Sequence, residues 1–144
     1  MNETKNDSAK APWHLWVVGG GTALWNGIAS FDFIASVTRF ELYLSQFSQE
    51  LLDYVYGLPT WLFVIWGIAV LGGLIGSILL LLRRRLAVAA LAISFVGVIA
   101  YTAVGFLRPP PEEFQDPQLT GTIVLIAALL VAYAEWMRRR SVLK

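Results

Sequence analysis

The sequence predicts an all-α integral membrane protein, with four transmembrane helices and an amphipathic interfacial helix between the first and the second. Three observations lead there. Of 144 residues, 57% are hydrophobic and only 15% are charged, against roughly 45–50% and about 25% in a soluble domain. The mean hydropathy is +0.63. The charges also sit in clusters between long uncharged stretches rather than along them. Lipid tolerates only a backbone whose hydrogen bonds are all made, and a helix makes them locally.

A spanning helix needs about 20 mostly apolar residues. The first span, about 13–37, runs through Trp13–Phe31 and continues past Asp32 into Phe33, Ile34 and Ala35. Gly19, Gly20, Gly21, Asn26 and Gly27 dilute it. The second, about 59–82, lies in a stretch with no charged residue from Tyr54 to Leu82. The third, about 86–107, begins directly after Arg83, Arg84 and Arg85. The fourth, about 117–137, opens on Asp116 and Pro117, an N-cap followed by an N1 proline. A flexible N-terminal tail (1–11) and a basic C-terminal tail (138–144) flank the four-helix domain of residues 12–137. The leader carries Lys5 and Lys10 against Glu3 and Asp7, so it lacks the positive n-region of a cleaved signal peptide, and the first span is expected to be retained.

Orientation follows the arginines. Arg83–Arg85 lie between spans two and three, and Arg138, Arg139, Arg140 and Lys144 follow span four. The other two loops pair a single arginine each, Arg39 or Arg108, with several carboxylates. Both termini are therefore expected in the cytoplasm of a bacterial inner membrane, and the two acidic loops outside.

Residues 39–56 are too polar to span and too patterned for a plain loop. Thr38 and Glu41 fit a capping box, and Gly57 with Pro59 fits a stop. Between them Phe40, Tyr43, Leu44, Phe47, Leu51 and Tyr54 recur at helical spacing, opposite a polar face interrupted by Leu42 and Leu52. Such a helix either covers the ends of the spans or offers a docking surface to an extracytoplasmic protein partner.

Small residues form seams along which membrane helices pack. Gly20, Ala23, Gly27 and Ser30 line the first span; Ala69, Gly73 and Ser77 the second, beside Gly72 and Gly76; Ala90, Ser94 and Gly97 the third. These seams serve packing within the chain or a homo-oligomer through Gly20, Ala23, Gly27, Gly73 and Ser77. Trp13, Trp16, Trp61 and Trp136 fall near span ends, as interface anchors do; Trp25 and Trp66 lie deeper.

The candidate polar site comprises Asn26, Ser30, Asp32 and Arg39. An unpaired amide in lipid costs several kcal/mol, so Asn26, with Ser30 one turn on, either bonds a neighbouring helix or contacts a ligand or pore. Asp32 sits near the outer rim, where it stays hydrated, pairs with Arg39 if the chain bends back, or handles a cation or proton. Glu135 has Arg138 and Arg139 at i+3 and i+4, the spacing of surface ion pairs. His14, among Trp13, Leu15 and Trp16, reads as an interface anchor.

The exclusions are broad. Without cysteine and with one histidine, there is no disulfide, thiol chemistry, iron–sulfur cluster or multi-histidine metal site. A net charge of +1 implies no pull toward nucleic acid. No nucleophile elbow, zinc-protease helix or P-loop is present, and Gly19–Gly21 follow no strand, so no catalytic residue and no cofactor is expected.

Finally, Pro12-Trp13-His14-Leu15-Trp16, Leu24-Trp25-Asn26, Asp32, Thr38-Arg39, Tyr43-Leu44, Pro59 with Trp61, Trp66, and Gly76-Ser77 followed by Leu79–Leu82 and Arg83 together resemble a family of small four-helix bacterial inner-membrane proteins, many labelled "sugar transporter" and others uncharacterised. The resemblance covers roughly residues 11–97. Leu71 departs from it, standing where the family often shows a tryptophan before the paired glycines, here Gly72 and Gly73. It implies a multi-pass protein of the inner membrane and carries over no catalytic or binding residue. The functional expectation is a non-enzymatic accessory or interaction protein of the envelope; the alternative is a transporter of a small solute such as a sugar, working as an oligomer, because one protomer of four helices hardly encloses a sugar.

Overall fold

A computed structural model describes residues 9–144; the first eight residues of the expected N-terminal tail lie outside that range. The described chain is helical: α1 (Trp13–Val37), α2 (Glu41–Leu44), α3 (Gln49–Tyr56), α4 (Thr60–Leu81), α5 (Leu86–Leu107), a 3₁₀ turn (Glu112–Phe114) and α6 (Pro117–Arg139). Three stretches, Thr60–Leu81, Leu86–Leu107 and Glu112–Arg139, are long and apolar enough to cross a membrane. α1 matches them in length, with 25 residues, but glycine and polar residues keep it below them in apolarity.

The long helices pack in chain order, α1 on α4, α4 on α5 and α5 on α6. Both ends of the described chain and the Arg83–Arg85 turn lie at one end of the molecule, here the arginine end, where Leu15, Leu80, Ala87, Leu91, Leu130 and Met137 form one buried cluster. The two acidic connections lie at the other. Backbone approach is closest between α4 and α5: a Cβ on Gly97 would stand 3.1 Å from the nitrogen and 3.2 Å from the Cα of Ala69. Small residues let these backbones meet, and dispersion contacts at that range hold the two helices together.

Caps set the helix limits. Asp116 accepts from the Leu119 amide at 2.9 Å and Pro117 opens α6, as expected. Three long helices stop in another way. Thr38, Leu82 and Arg140 are C-caps, and the residues after them, Arg39, Arg83 and Ser141, have φ of 52°, 58° and 57°. Two successive amides at each turn donate one bond apiece, for example Arg83 N to Leu80 O at 3.0 Å and Arg84 N to Leu79 O at 2.8 Å. This is the Schellman pattern, normally given to glycine because a side chain in the left-handed region costs about 1 kcal/mol.

One expectation changes. The segment 39–56 is not one helix. Thr38 is not its cap but turns its hydroxyl back to Ile34 O at 2.7 Å at the end of α1. The chain breaks after Leu44, and α3 restarts on its own cap, with Ser48 Oγ accepting from Leu51 N at 3.2 Å. At the C-terminal end α6 continues to Arg139, and Val142 and Leu143 are 3% and 1% exposed within the arginine-end cluster.

Candidate functional site

The four residues singled out from the sequence separate into two places. Asn26 and Ser30 share the face of α1 that meets α4, as their spacing requires. Asn26 spends its Nδ2 on Thr22 O of its own helix at 2.9 Å. Its Oδ1 lies where a Cβ on Gly73 would collide with it, so only glycine fits opposite. Ser30 Oγ reaches across to Val70 O at 3.3 Å. Ser94 on α5, taken from the sequence only as a seam residue, donates to Ala69 O, and a Cβ on Gly73 would stand 3.1 Å from its Oγ. Three helices thus bring Asn26, Gly73 and Ser94 to one point, beside a cavity of about 30 Å³ that Trp25, Val98 and Ile126 help to line. That is room for one water. Ser77 turns its hydroxyl to Gly73 O at 2.8 Å, fully buried. Gly73 and Ser77 therefore pack inside the chain, whereas Gly20 has open space beside it.

Asp32 and Arg39 belong to the acidic end, and they do not pair with each other. Asp32 Oδ1 accepts from the Tyr43 hydroxyl at 2.7 Å. The Arg39 guanidinium lies 4.1 Å from the centre of the Tyr56 ring, a cation–π contact worth about 0.5–1 kcal/mol at an exposed site. Arg39 stands in a left-handed turn, with φ of 52°, and its side chain lies over Tyr56 of α3.

Three tyrosines fasten this end; the sequence placed Tyr43 and Tyr54 only on an amphipathic face and gave Tyr56 no role. Tyr43 sits edge-on between Phe31 and Phe47, at 5.3 Å from each. Tyr54 donates to Arg108 O at 2.7 Å and Tyr56 to Ser36 O at 2.7 Å. Ser48 reaches Glu113 at 3.4 Å. Together α2 and α3 form a cap bonded both to α1 and to the loop after α5. Burial, then the Asp32 bond and charge, push the Tyr43 phenol up to about 12 from 10.0. Burial also raises Tyr54, with the Arg108 charge pulling the other way. An open groove over Thr38–Leu42 and Ser45 lies on the outer side of the cap, where Leu42 is 81% exposed.

A second aromatic cluster closes the arginine end. His14 shares a hydrogen bond with the Tyr133 hydroxyl and stacks on Trp136 at 5.7 Å and 14°, so α1 and α6 are joined there. Glu135 takes Arg138 at 2.6 Å and Arg139 at 2.9 Å, as the spacing predicts. Trp66, one of the two deep tryptophans, packs among Phe33, Phe63 and Tyr101. No family model, no curated protein and no solved structure matches the chain.

Proposed function

We propose that the chain is a four-pass protein of the bacterial inner membrane, with both termini cytoplasmic, that works without catalysis as an accessory or interaction protein of the envelope. Support for the membrane setting comes from the outer faces of the long helices, where Leu24, Ile28, Val64, Val96, Leu125 and Leu129 are each more than half exposed. In water such a surface would drive aggregation; in lipid it is the natural boundary. The length of α1 supports counting it as the fourth span, and the arginine distribution supports the sidedness. The exposed Leu42, beside the acidic face of α2 and α3, supports an interfacial position for the cap. The ordered tryptophan, asparagine, aspartate and arginine residues between Pro12 and Arg83 support membership of the family of small inner-membrane proteins named above.

The observation that carries the functional reading is the cap. Tyr43, Tyr54 and Tyr56 each commit a hydroxyl to holding α2 and α3 in place, which gives a rigid surface with Glu41, Glu50 and Asp53 exposed. Rigid, exposed and specifically shaped surfaces suit recognition, because little ordering entropy remains to be lost on binding. The interior gives no comparable support for catalysis: Ser30, Ser77 and Ser94 direct their hydroxyls to backbone carbonyls, which activates none of them as a nucleophile. The transporter reading rests on the cavity at Asn26, and at about 30 Å³ that cavity requires a second protomer to admit a sugar.

A photo-crosslinking residue placed at Leu42 in living cells is expected to yield one discrete adduct that Glu50→Lys with Asp53→Lys abolishes. Sugar uptake by reconstituted vesicles that Asn26→Leu silences would overturn this reading in favour of transport.

A further inference from the structure

Hydrogen bonds at the arginine end gather three stretches of chain that are remote in sequence. Arg83 donates from Nη2 to Ala9 O at 2.6 Å and from Nε to Val142 O at 3.0 Å. The Lys144 amide donates to Arg83 O at 2.6 Å, and the Arg85 amide donates to Lys144 O at 2.9 Å. Val142 and Leu143 anchor this strap in the core. Lys10, Arg84, Arg85 and Lys144 are left exposed on the surface it creates. Just ahead of the strap, the Arg140 guanidinium stands 4.9 Å over the Trp136 ring.

No carboxylate among the described residues forms an ion pair with any of these five cations; Glu135 is held by Arg138 and Arg139. Gathering like charges with no side-chain counter-ion among the described residues is unfavourable, and the strap gathers Lys10, Arg84, Arg85 and Lys144 all the same. Apolar rings border the same end: Trp13, Trp16 and Trp136 are 75%, 53% and 45% exposed. A ligand that satisfies both features carries negative charge at its head and hydrocarbon below it.

We propose that the strapped basic surface is a binding site for the phosphate headgroup of an anionic phospholipid, whose acyl chains lie along the apolar helix faces beneath the tryptophans. The proposal rests on the membrane reading above. Arg84, Arg140 and Lys144 supply the charge, while Arg83 is a positioning residue whose guanidinium is spent on the Ala9 and Val142 carbonyls. A free phosphate ion offers the same head charge and nothing for the tryptophan border.

The test uses the full chain in detergent micelles supplemented with phosphatidylglycerol, phosphatidylcholine or inorganic phosphate, with bound lipid read by native mass spectrometry and stability by thermal unfolding. Phosphatidylglycerol is expected to be retained and to raise the midpoint, an effect that falls with added salt. Replacing Arg84, Arg140 and Lys144 by glutamine is expected to weaken its binding by about fivefold per cation, while Arg108→Gln at the far end leaves it unchanged. Equal retention of phosphatidylcholine, an equal response from the triple variant, or an equal shift with inorganic phosphate would overturn the site. Salt dependence in the wild type tests the same point should the triple variant not fold. A chain that stays monodisperse without detergent and floats with no vesicle would sink the membrane reading itself, a result distinct from a chain that inserts without preferring anionic lipid.

Discussion

Asp32 accepts the hydroxyl of Tyr43 at 2.7 Å, and this bond takes the place of an ion pair with Arg39. A carboxylate at the rim of a helix bundle is thereby bound to the cap that covers the bundle, and the arginine that follows it in sequence is left to the Tyr56 ring.

Tyr43→Phe keeps the ring between Phe31 and Phe47 and deletes the hydroxyl, and should cost about 1 kcal/mol, read as faster proteolysis of residues 38–57. The pH dependence has a definite sign. The phenol is pushed up to about 12 from 10.0, so its contribution is fully present below pH 10.0 and is lost as pH rises through about 12. Ultraviolet titration should show one high-pH phenolate transition vanish in Tyr43→Phe. In Asp32→Asn it should move only part of the way down, because burial, the larger cause, remains.

Gly97→Ala drives a methyl group into the Ala69 backbone, where neither partner can yield, and should destabilise the protein by about 1–3 kcal/mol. Gly20→Ala meets nothing within 4 Å and should stabilise by up to about 1 kcal/mol through helix propensity. Thermal unfolding of the two variants in the same detergent separates them by sign.

Ser141→Gly should stabilise the end of α6 by about 1 kcal/mol, since φ of 57° is strained for serine and free for glycine. Arg39→Gly relieves the same strain but loses the Tyr56 contact, so its net change should be close to zero. Denaturation midpoints of the two variants check the contrast.

His14→Phe and Tyr133→Phe should be non-additive, with a coupling near 1 kcal/mol in a double-mutant cycle, because their shared bond joins α1 to α6. Additive effects would mean that the stacking of His14 on Trp136 holds that end alone.

Reporter fusions placed at Arg84 and at Pro110 should register on opposite sides of the membrane. Because the chain has no cysteine, single cysteines introduced at the same positions allow an independent accessibility measurement.

Much of the architecture was legible in the residues. Long uncharged stretches must close their backbone bonds locally, and the helices fall at 13–37, 60–81, 86–107 and 117–139, within two residues of the expected spans. Asp116 with Pro117 and the Glu135 pairs act over one turn, so their chemistry is visible in local spacing. That Ser30 shares a face with Asn26 was likewise legible, though not that this face meets α4. What depended on partners far along the chain was not legible: the Tyr43–Asp32 bond, the break before Ser48, and the burial of Val142 and Leu143 beneath Arg83. Nor does any local rule place arginine or serine in a left-handed turn, where glycine is the expected residue; the Tyr56 ring and the Ala9 and Val142 carbonyls that engage the two arginines are assembled only in the folded molecule. Sequence by itself determined where the four long helices lie, because that choice is made by hydrogen bonds four residues apart. Tertiary structure decided which polar groups meet, because that follows from how each helix is rotated about its axis and where each connection folds back.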